Sequence, residues 1–209
     1  MAEPLKNIYN KSFIKKFANV FELVVYDLDS DAFVNKVIDD NWENLELKER
    51  MRKITHCIHS SLGEDIEENI KTILRLTELL QENGFKPDML EFIFLPDYIE
   101  VYGLNYYSAS MDAIETLTQF ITCEFAVRPY ILKSPDETLK HMLKWSKHKH
   151  PGVRRLASEG SRPRLPWALG VPILKQEPDR VIPILENLKN DDSEIFFKYV
   201  TICWLQYIK

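Results

Sequence analysis

Two stretches of this chain can be laid over one another at an offset of 43 residues, and this repetition constrains the fold more than any other feature. SPDETLKHMLKWSKHKHPGVRRLASEG, residues 134–160, lies over EPDRVIPILENLKNDDSEIFFKYVTIC, residues 177–203. Pro135-Asp136 falls on Pro178-Asp179, Leu139 on Ile182, Met142 on Leu185 and Trp145 on Leu188. Each copy reads as a helix entered through a Pro-Asp pair, a short turn and a second helix. Proline is tolerated in the first helical turn, where its missing N–H would have no partner anyway, and aspartate there meets the positive end of the helix dipole. An offset within about 40–47 residues is the period of HEAT and armadillo helix pairs. Such pairs cannot bury their apolar faces alone, so they stack into a solenoid that leaves one concave face for a partner.

The rest of the chain agrees. Ile8, Phe13, Phe17, Val20, Phe21 and Val24 recur at helical spacing across residues 4–28. Asp29 or Ser30 can cap a helix over 30–43 whose apolar positions are Phe33, Val34 and Val37. Further helices are expected over 45–62 and 65–83, the second ended by Gly84. KPDMLEFIFLPDYIEVYG, residues 86–103, is dense in aromatics and interrupted by Pro96, which predicts two short helices at an angle; 105–110 reads as a loop. Residues 110–132 read as one long apolar helix containing Glu124 and kinked at Pro129. No run alternates as a half-buried strand would. The expectation is all-α: an α-solenoid of HEAT-like repeats forming one domain over 1–209. Its N-terminal helices occupy 1–110, and 111–209 carries a basic, carboxylate-containing cleft.

A net charge of −5 argues, taken whole, against a polyanionic partner. Its distribution reverses that reading. Residues 125–180 hold twelve Lys/Arg against five Asp/Glu, a local +7, and the remainder holds 15 against 27, or −12. A basic segment in an acidic chain is the footprint of a nucleic-acid face; a solvated helix face is the plainer alternative. Cys57, Cys123 and Cys203 have no metal-ligand spacing and read as buried thiols of a reducing cytoplasm. The start, MAEPLKNIYNKSFIKKF, lacks the apolar run of a signal peptide, and no stretch reaches membrane-spanning length. A soluble cytoplasmic protein is expected. His56 and His59 flank Cys57 without a third ligand, so no metal site is expected. No phosphate-cradling glycine loop, GxSxG or Cys/His nucleophile signature occurs, which leaves nucleotide hydrolysis and acyl transfer unsupported.

The densest constellation is PGVRRLASEGSRPRLPWALG, residues 151–170. A helix from Pro151 carries Arg154, Arg155 and Glu159 and is expected to stop at Gly160; Pro163 and Pro166 then hold an extended stretch with Arg162, Arg164 and Trp167. Glu159 sits at a helix C-terminus, where the dipole disfavours an anion, and that points to function. An i,i+4 pair with Arg155 would account for it equally well. Glu124, inside apolar FITCEFAV, poses the same choice between a cleft carboxylate and an i,i+4 pair with Arg128. Two carboxylates in one groove could stabilise positive charge growing on a sugar. The four arginines of 151–170 suit bidentate phosphate contacts or salt bridges to acidic helices. Trp167 could pack on a sugar or base, or fill a core.

Several of these stretches occur together, in this order, in one family. MAEPLKNIYN, LELKERMRKITHCIH, FLPDYIEVYG, EFAVRPYIL and VRRLASEGSRPRLPWA resemble the bacterial DNA alkylation-repair glycosylases of the AlkC type, relatives of AlkD built from HEAT-like repeats. The resemblance covers residue 1 to about 194. It implies a monofunctional glycosylase, without cofactor and monomeric, whose concave face binds double-stranded DNA containing alkylated bases. Cationic bases of the 3-methyladenine and 3-methylcytosine class would be removed without being flipped out of the duplex. It assigns Glu124 and Glu159 as functional carboxylates and Trp167 as the functional tryptophan. Arg154, Arg155, Arg162 and Arg164 fall where the family faces the DNA backbone, and Arg128 is grouped with them.

Family members also carry an aspartate in a motif like SVANNLNDIS. In register it falls on Gln206, which joins the two glutamates as the third site position. The ending FFKYVTICWLQYIK departs from the family pattern and stops where further helices would continue the solenoid, as expected of a diverged C-terminus or a shifted frame. An amide can orient water but carries no charge, so weakened excision with retained DNA binding is expected. The alternatives are a non-catalytic DNA-binding HEAT-repeat protein and a HEAT-type protein-interaction scaffold.

Overall fold

Residues 3–191 are described by the computed structural model, and every regular element among them is helical. The chain divides between Ala113 and Ile114 into two compact units.

The first unit holds α1 (Lys11–Phe21), α2 (Ser30–Val37), α3 (Leu47–His59), α4 (Ile66–Glu82) and α5 (Phe94–Tyr102). Their starts follow from side chains that satisfy the first backbone N–H groups. Asn10 accepts from Phe13 N at 2.9 Å. Asp29 accepts from Asp31 N and Ala32 N at 2.8 and 3.1 Å, and Asp65 from Glu67 N and Glu68 N at 3.0 and 3.1 Å. Gly84 takes φ +85 just beyond α4, the left-handed stop that glycine makes without strain. The core is aromatic: Phe17 meets Phe94 edge-on at 4.9 Å and Phe33 meets Phe21 at 5.4 Å. Burying one such ring contributes about 2–3 kcal/mol. The 86–103 stretch resolves into a 3-10 turn, Leu90–Ile93, running into α5, with Pro96 in the first turn, where helices tolerate it.

α6 (Tyr107–Leu117) crosses the division, and the second unit continues with α7 (Arg128–Lys133), α8 (Pro135–Trp145), α9 (Pro151–Gly160), α10 (Ile173–Gln176) and α11 (Ile182–Leu188). α8 packs on α7 and α9, and α11 packs on both α8 and α9. The expected single helix over 110–132 is corrected here. α6 ends at Leu117, turns occupy 118–127, and Pro129 belongs to the first turn of a new helix rather than to a kink. Glu124 therefore lies on a non-helical segment. The repeat holds in part: Met142 and Leu185, and Trp145 and Leu188, are all buried in α8 and α11, but α8 starts at its Pro-Asp pair whereas Pro178-Asp179 form a separate 3-10 turn, Pro178–Arg180, before α11. The second helix of the second copy lies outside the described residues, as do Cys203 and Gln206.

Cys57 and Cys123 are free, buried thiols, and burial pushes the Cys123 thiol up to about 12. No helix among the described residues is long and apolar enough to cross a membrane.

Candidate functional site

Everything in the 151–170 constellation starts from how closely α9 lies along the 118–127 turns. His150 caps α9, its Nδ1 accepting from Gly152 N at 3.2 Å, and Pro151 fills the first turn. A Cβ on Gly152 would sit 3.0 Å from the Thr118 carbonyl oxygen, and one on Gly160 would sit 2.8 Å from Val127 Cγ1. Both glycines serve close approach. α9 ends at Gly160, as expected, and the glycine is buried there, so it also serves packing.

That approach brings the two carboxylates under arginine control, with partners other than local spacing predicts. Arg155 Nη2 donates to Glu124 Oε1 at 2.7 Å, across 31 residues of sequence. Arg162 Nη1 donates to Glu159 Oε2 at 2.8 Å. Glu124 thus pairs with Arg155 rather than with Arg128, and Glu159 pairs with Arg162 just past the helix end. Glu159 is 2% exposed, and its Oε1 has no hydrogen-bond partner. Burial pushes the Glu159 carboxyl above its ordinary value; Arg162 pulls it back down, while the Glu124 charge adds to the rise. A buried carboxylate oxygen without a donor is rare in folded proteins and points to an atom still to be bound.

Beyond α9 the chain turns through Arg162–Gly170. Val171 N donates to Pro163 O at 3.0 Å and Ala168 N to Leu165 O at 3.2 Å, closing a compact loop. Trp167 stands on this loop at φ +65 and is 64% exposed. A bulky residue in the left-handed region is strained, and such strain gathers at functional positions. Core packing is therefore not what Trp167 does. Arg164 is exposed on the same loop.

Two of the expected DNA-facing arginines are engaged within the protein. Arg128 is fully buried, and its guanidinium donates to four backbone carbonyls: Gly160 O at 3.1 Å, Arg162 O at 2.8 Å, Pro163 O at 3.1 Å, and Leu169 O. A cation so enclosed does not reach a phosphate. Arg154 forms a two-pronged pair with Asp191, Nε to Oδ2 at 2.6 Å and Nη2 to Oδ1 at 3.0 Å, and also donates to the His148 and Lys149 carbonyls at 3.0 Å each. It ties α9 to the end of α11. Neither role is legible from spacing, although the isolation of Arg128 between apolar runs in EFAVRPYIL is a sign of burial. The paired glycines at the two ends of α9 are a second sign, of close approach.

His56 and His59 contact hydroxyls: His56 Nδ1 lies 2.6 Å from Tyr102 OH and His59 Nδ1 3.1 Å from Tyr98 OH. Among the described residues no group of three or more His, Cys, Asp or Glu side chains is placed to hold a metal ion.

No family model matches the chain. A Bacillus subtilis (strain 168) relative, described as uncharacterized protein YhaZ, is 42% identical over 189 residues, which are 90% of this chain and 51% of the relative. Among solved structures, Pseudomonas fluorescens alkylpurine DNA glycosylase AlkC, bound to DNA containing an abasic site analog, aligns with a TM-score of 0.89 at 29% identity. That alignment covers 99% of this chain and 56% of the other. The chain spans about half the length of the relatives it matches.

Proposed function

Starting from its AlkC-type helical-repeat fold, that of a DNA-binding alkylpurine glycosylase, we propose that this chain grips duplex DNA and is built to hydrolyse the N-glycosidic bond of cationic alkylated bases. The observation that carries the reading is Glu159: a buried carboxylate with one oxygen unpartnered, on the helix that leads into the exposed, strained Trp167.

A base alkylated to a cation departs neutral, so no general acid need protonate it. The difficult part is oxocarbenium character growing on the deoxyribose and a water aligned to attack it. A carboxylate in a partly desolvated groove answers both demands, stabilising the positive charge and accepting a hydrogen bond from the water. Glu159 and Glu124 take these parts, and Trp167 packs against the sugar or base. Arg155, Arg162 and Arg164 bind phosphates. Arg155 and Arg162 neutralise the two glutamates in the free protein. A phosphate that takes their forks returns the negative charge to the carboxylates as DNA docks. Backbone contacts of this kind position the duplex without reading its sequence. The lesion stays in the stack, and the basic groove serves in place of a base-holding pocket.

Gln206 favours a second reading, a DNA-binding protein with little catalysis, because the family aspartate it replaces would carry the charge an amide lacks. A 3-methyladenine release assay on alkylated duplex separates the two. The unaltered chain is expected to bind duplex with affinity falling steeply in salt, and to release base slowly. Gln206→Asp should raise release at least about tenfold, and adding Glu159→Gln to it should remove that gain, since losing one such electrostatic group costs about 100-fold or more. Vigorous release by the unaltered chain would refute the role given to position 206. Failure to bind duplex at low salt would refute the DNA reading itself and leave the protein-interaction scaffold.

A further inference from the structure

We propose that Arg128 is a positioning residue, which holds the loop that carries Trp167 without touching DNA itself. The proposal deepens the glycosylase reading above and rests on it for the part played by Trp167.

Arg128 opens α7, four residues after Glu124, and its side chain reaches into the 160–170 loop. Its Nη1 holds Gly160 O and Arg162 O, its Nη2 holds Pro163 O, and its Nε holds Leu169 O. Three nitrogens thus bind both ends of one segment, and Trp167 lies between the ends. Pro163 O also accepts Val171 N, so the same carbonyl closes the loop and anchors it to Arg128. A buried guanidinium is tolerated only when its donors are met. One of the four acceptors is the last carbonyl of α9, at the negative end of the helix dipole, where a cation is favoured. That placement also sets a positive charge beside the helix end where Glu159 would otherwise be disfavoured. The left-handed φ of Trp167 persists because the chain on either side of it is held.

The planar fork matters more than the charge. Lysine offers one nitrogen on a flexible stem and cannot bridge carbonyls at both ends of the loop. Arg128→Lys is therefore the informative variant, read in two ways. Hydrogen exchange should speed at least tenfold at the Ala168 and Val171 amides while α8 and the first unit keep their protection. In duplex binding, Arg128→Lys should weaken affinity about tenfold when Trp167 is present and less than twofold in a Trp167→Ala background, because both changes remove the same contact.

Unchanged exchange at Ala168 and Val171 would overturn the proposal. So would equal losses of affinity in both backgrounds, which would make Arg128 a support for the fold alone. If the unaltered chain binds no duplex, the DNA reading fails separately and the exchange result alone decides whether Arg128 clamps the loop. Should Arg128→Lys not fold, the unaltered chain still decides: the Arg128 Nε–H and the Val171 amide, each corrected for its own intrinsic exchange rate, should show one protection factor, since one opening frees both. Protection factors differing tenfold would overturn the clamp.

Discussion

In the N-terminal unit Asp97 lies buried against Arg52, and in the C-terminal unit Glu159 lies buried against Arg162. The residue types match, and so does the burial, at 4% exposed for Asp97 and 2% for Glu159. What differs is how completely each carboxylate is used. Arg52 Nε and Nη2 reach the two oxygens of Asp97 at 2.8 Å each, and the Thr55 hydroxyl adds a third bond at 2.7 Å. Glu159 has Arg162 on one oxygen and no partner on the other. The first arrangement pins α3 to α5 and gives both carboxylate oxygens a donor. The second keeps an acceptor in reserve inside the protein, which is unfavourable for folding and useful only if a ligand atom or a water arrives. Burial and an arginine partner are common to both carboxylates; the unfilled acceptor is where they differ.

Removing the charge from each should break this comparison if it is wrong. Asp97→Asn weakens both Arg52 contacts and leaves part of a buried network unmatched, so the unfolding free energy should fall by about 3 kcal/mol. Glu159→Gln weakens the Arg162 contact but also removes a charge that the fold satisfies only in part, so the loss should be smaller, under about 1 kcal/mol. Urea unfolding of the two variants measures both. Equal destabilisation would mean that Glu159 holds the fold as Asp97 does, and its functional assignment would lose its physical basis.

The helices of the first unit were legible because their signals are local. Asp29 and Asp65 cap the helices they were expected to begin, and Gly84 stops α4. The pairing at the candidate site was not legible, for the converse reason. Spacing along a helix pairs Glu124 with Arg128, but the helix that this presumes is broken over 118–127, and Arg155 arrives from 31 residues away. Arg128 likewise bonds to carbonyls 32 to 41 residues distant, contacts to which no periodicity refers. Glu124, Glu159 and Trp167 could be singled out from residue type and setting. Which arginines hold the frame and which remain on the surface depended on tertiary packing.

A second contrast concerns protons. Glu100 stands beside Asp97, and burial, reinforced by the Asp97 charge, pushes its carboxyl up to about 7, against the pull of Arg52 and Lys48. A folded-state value above the unfolded one means that folding favours the protonated form. The associated stability is complete below about pH 4.5 and is lost as pH rises through about 7. Allowing for partial exposure, the loss is on the order of 2 kcal/mol. The unfolding free energy of the unaltered chain should fall by that amount between pH 5 and pH 8, and Glu100→Gln should flatten the dependence. Glu159 is raised too and gives the same sign. A slope that survives Glu100→Gln but disappears in Glu159→Gln would move the main proton-linked site to the C-terminal unit.

The smallest effect tests strain in the two units against each other. Asp27 and Asp88 take φ +60 and +61 in the first unit, and Trp167 takes +65 in the second. Aspartate bears the left-handed region fairly well because its short side chain can bond to nearby backbone, whereas a bulky aromatic residue is sterically disfavoured there. Glycine relieves the strain in either case but adds freedom to the unfolded chain. Asp88→Gly should therefore leave stability within about 0.3 kcal/mol, while Trp167→Gly should raise it by about 0.3–0.5 kcal/mol, because relief of the larger strain is mostly offset by loss of the part of the indole that is buried. Thermal unfolding resolves a gain of that size when paired with duplex binding, which Trp167→Gly should weaken. A variant that is more stable and binds less tightly is the signature of a residue kept for function against the preference of the fold. A loss of stability in Trp167→Gly would instead show that the indole contributes more to the loop than its backbone strain removes, and Trp167 would then belong with Asp97 among the structural residues.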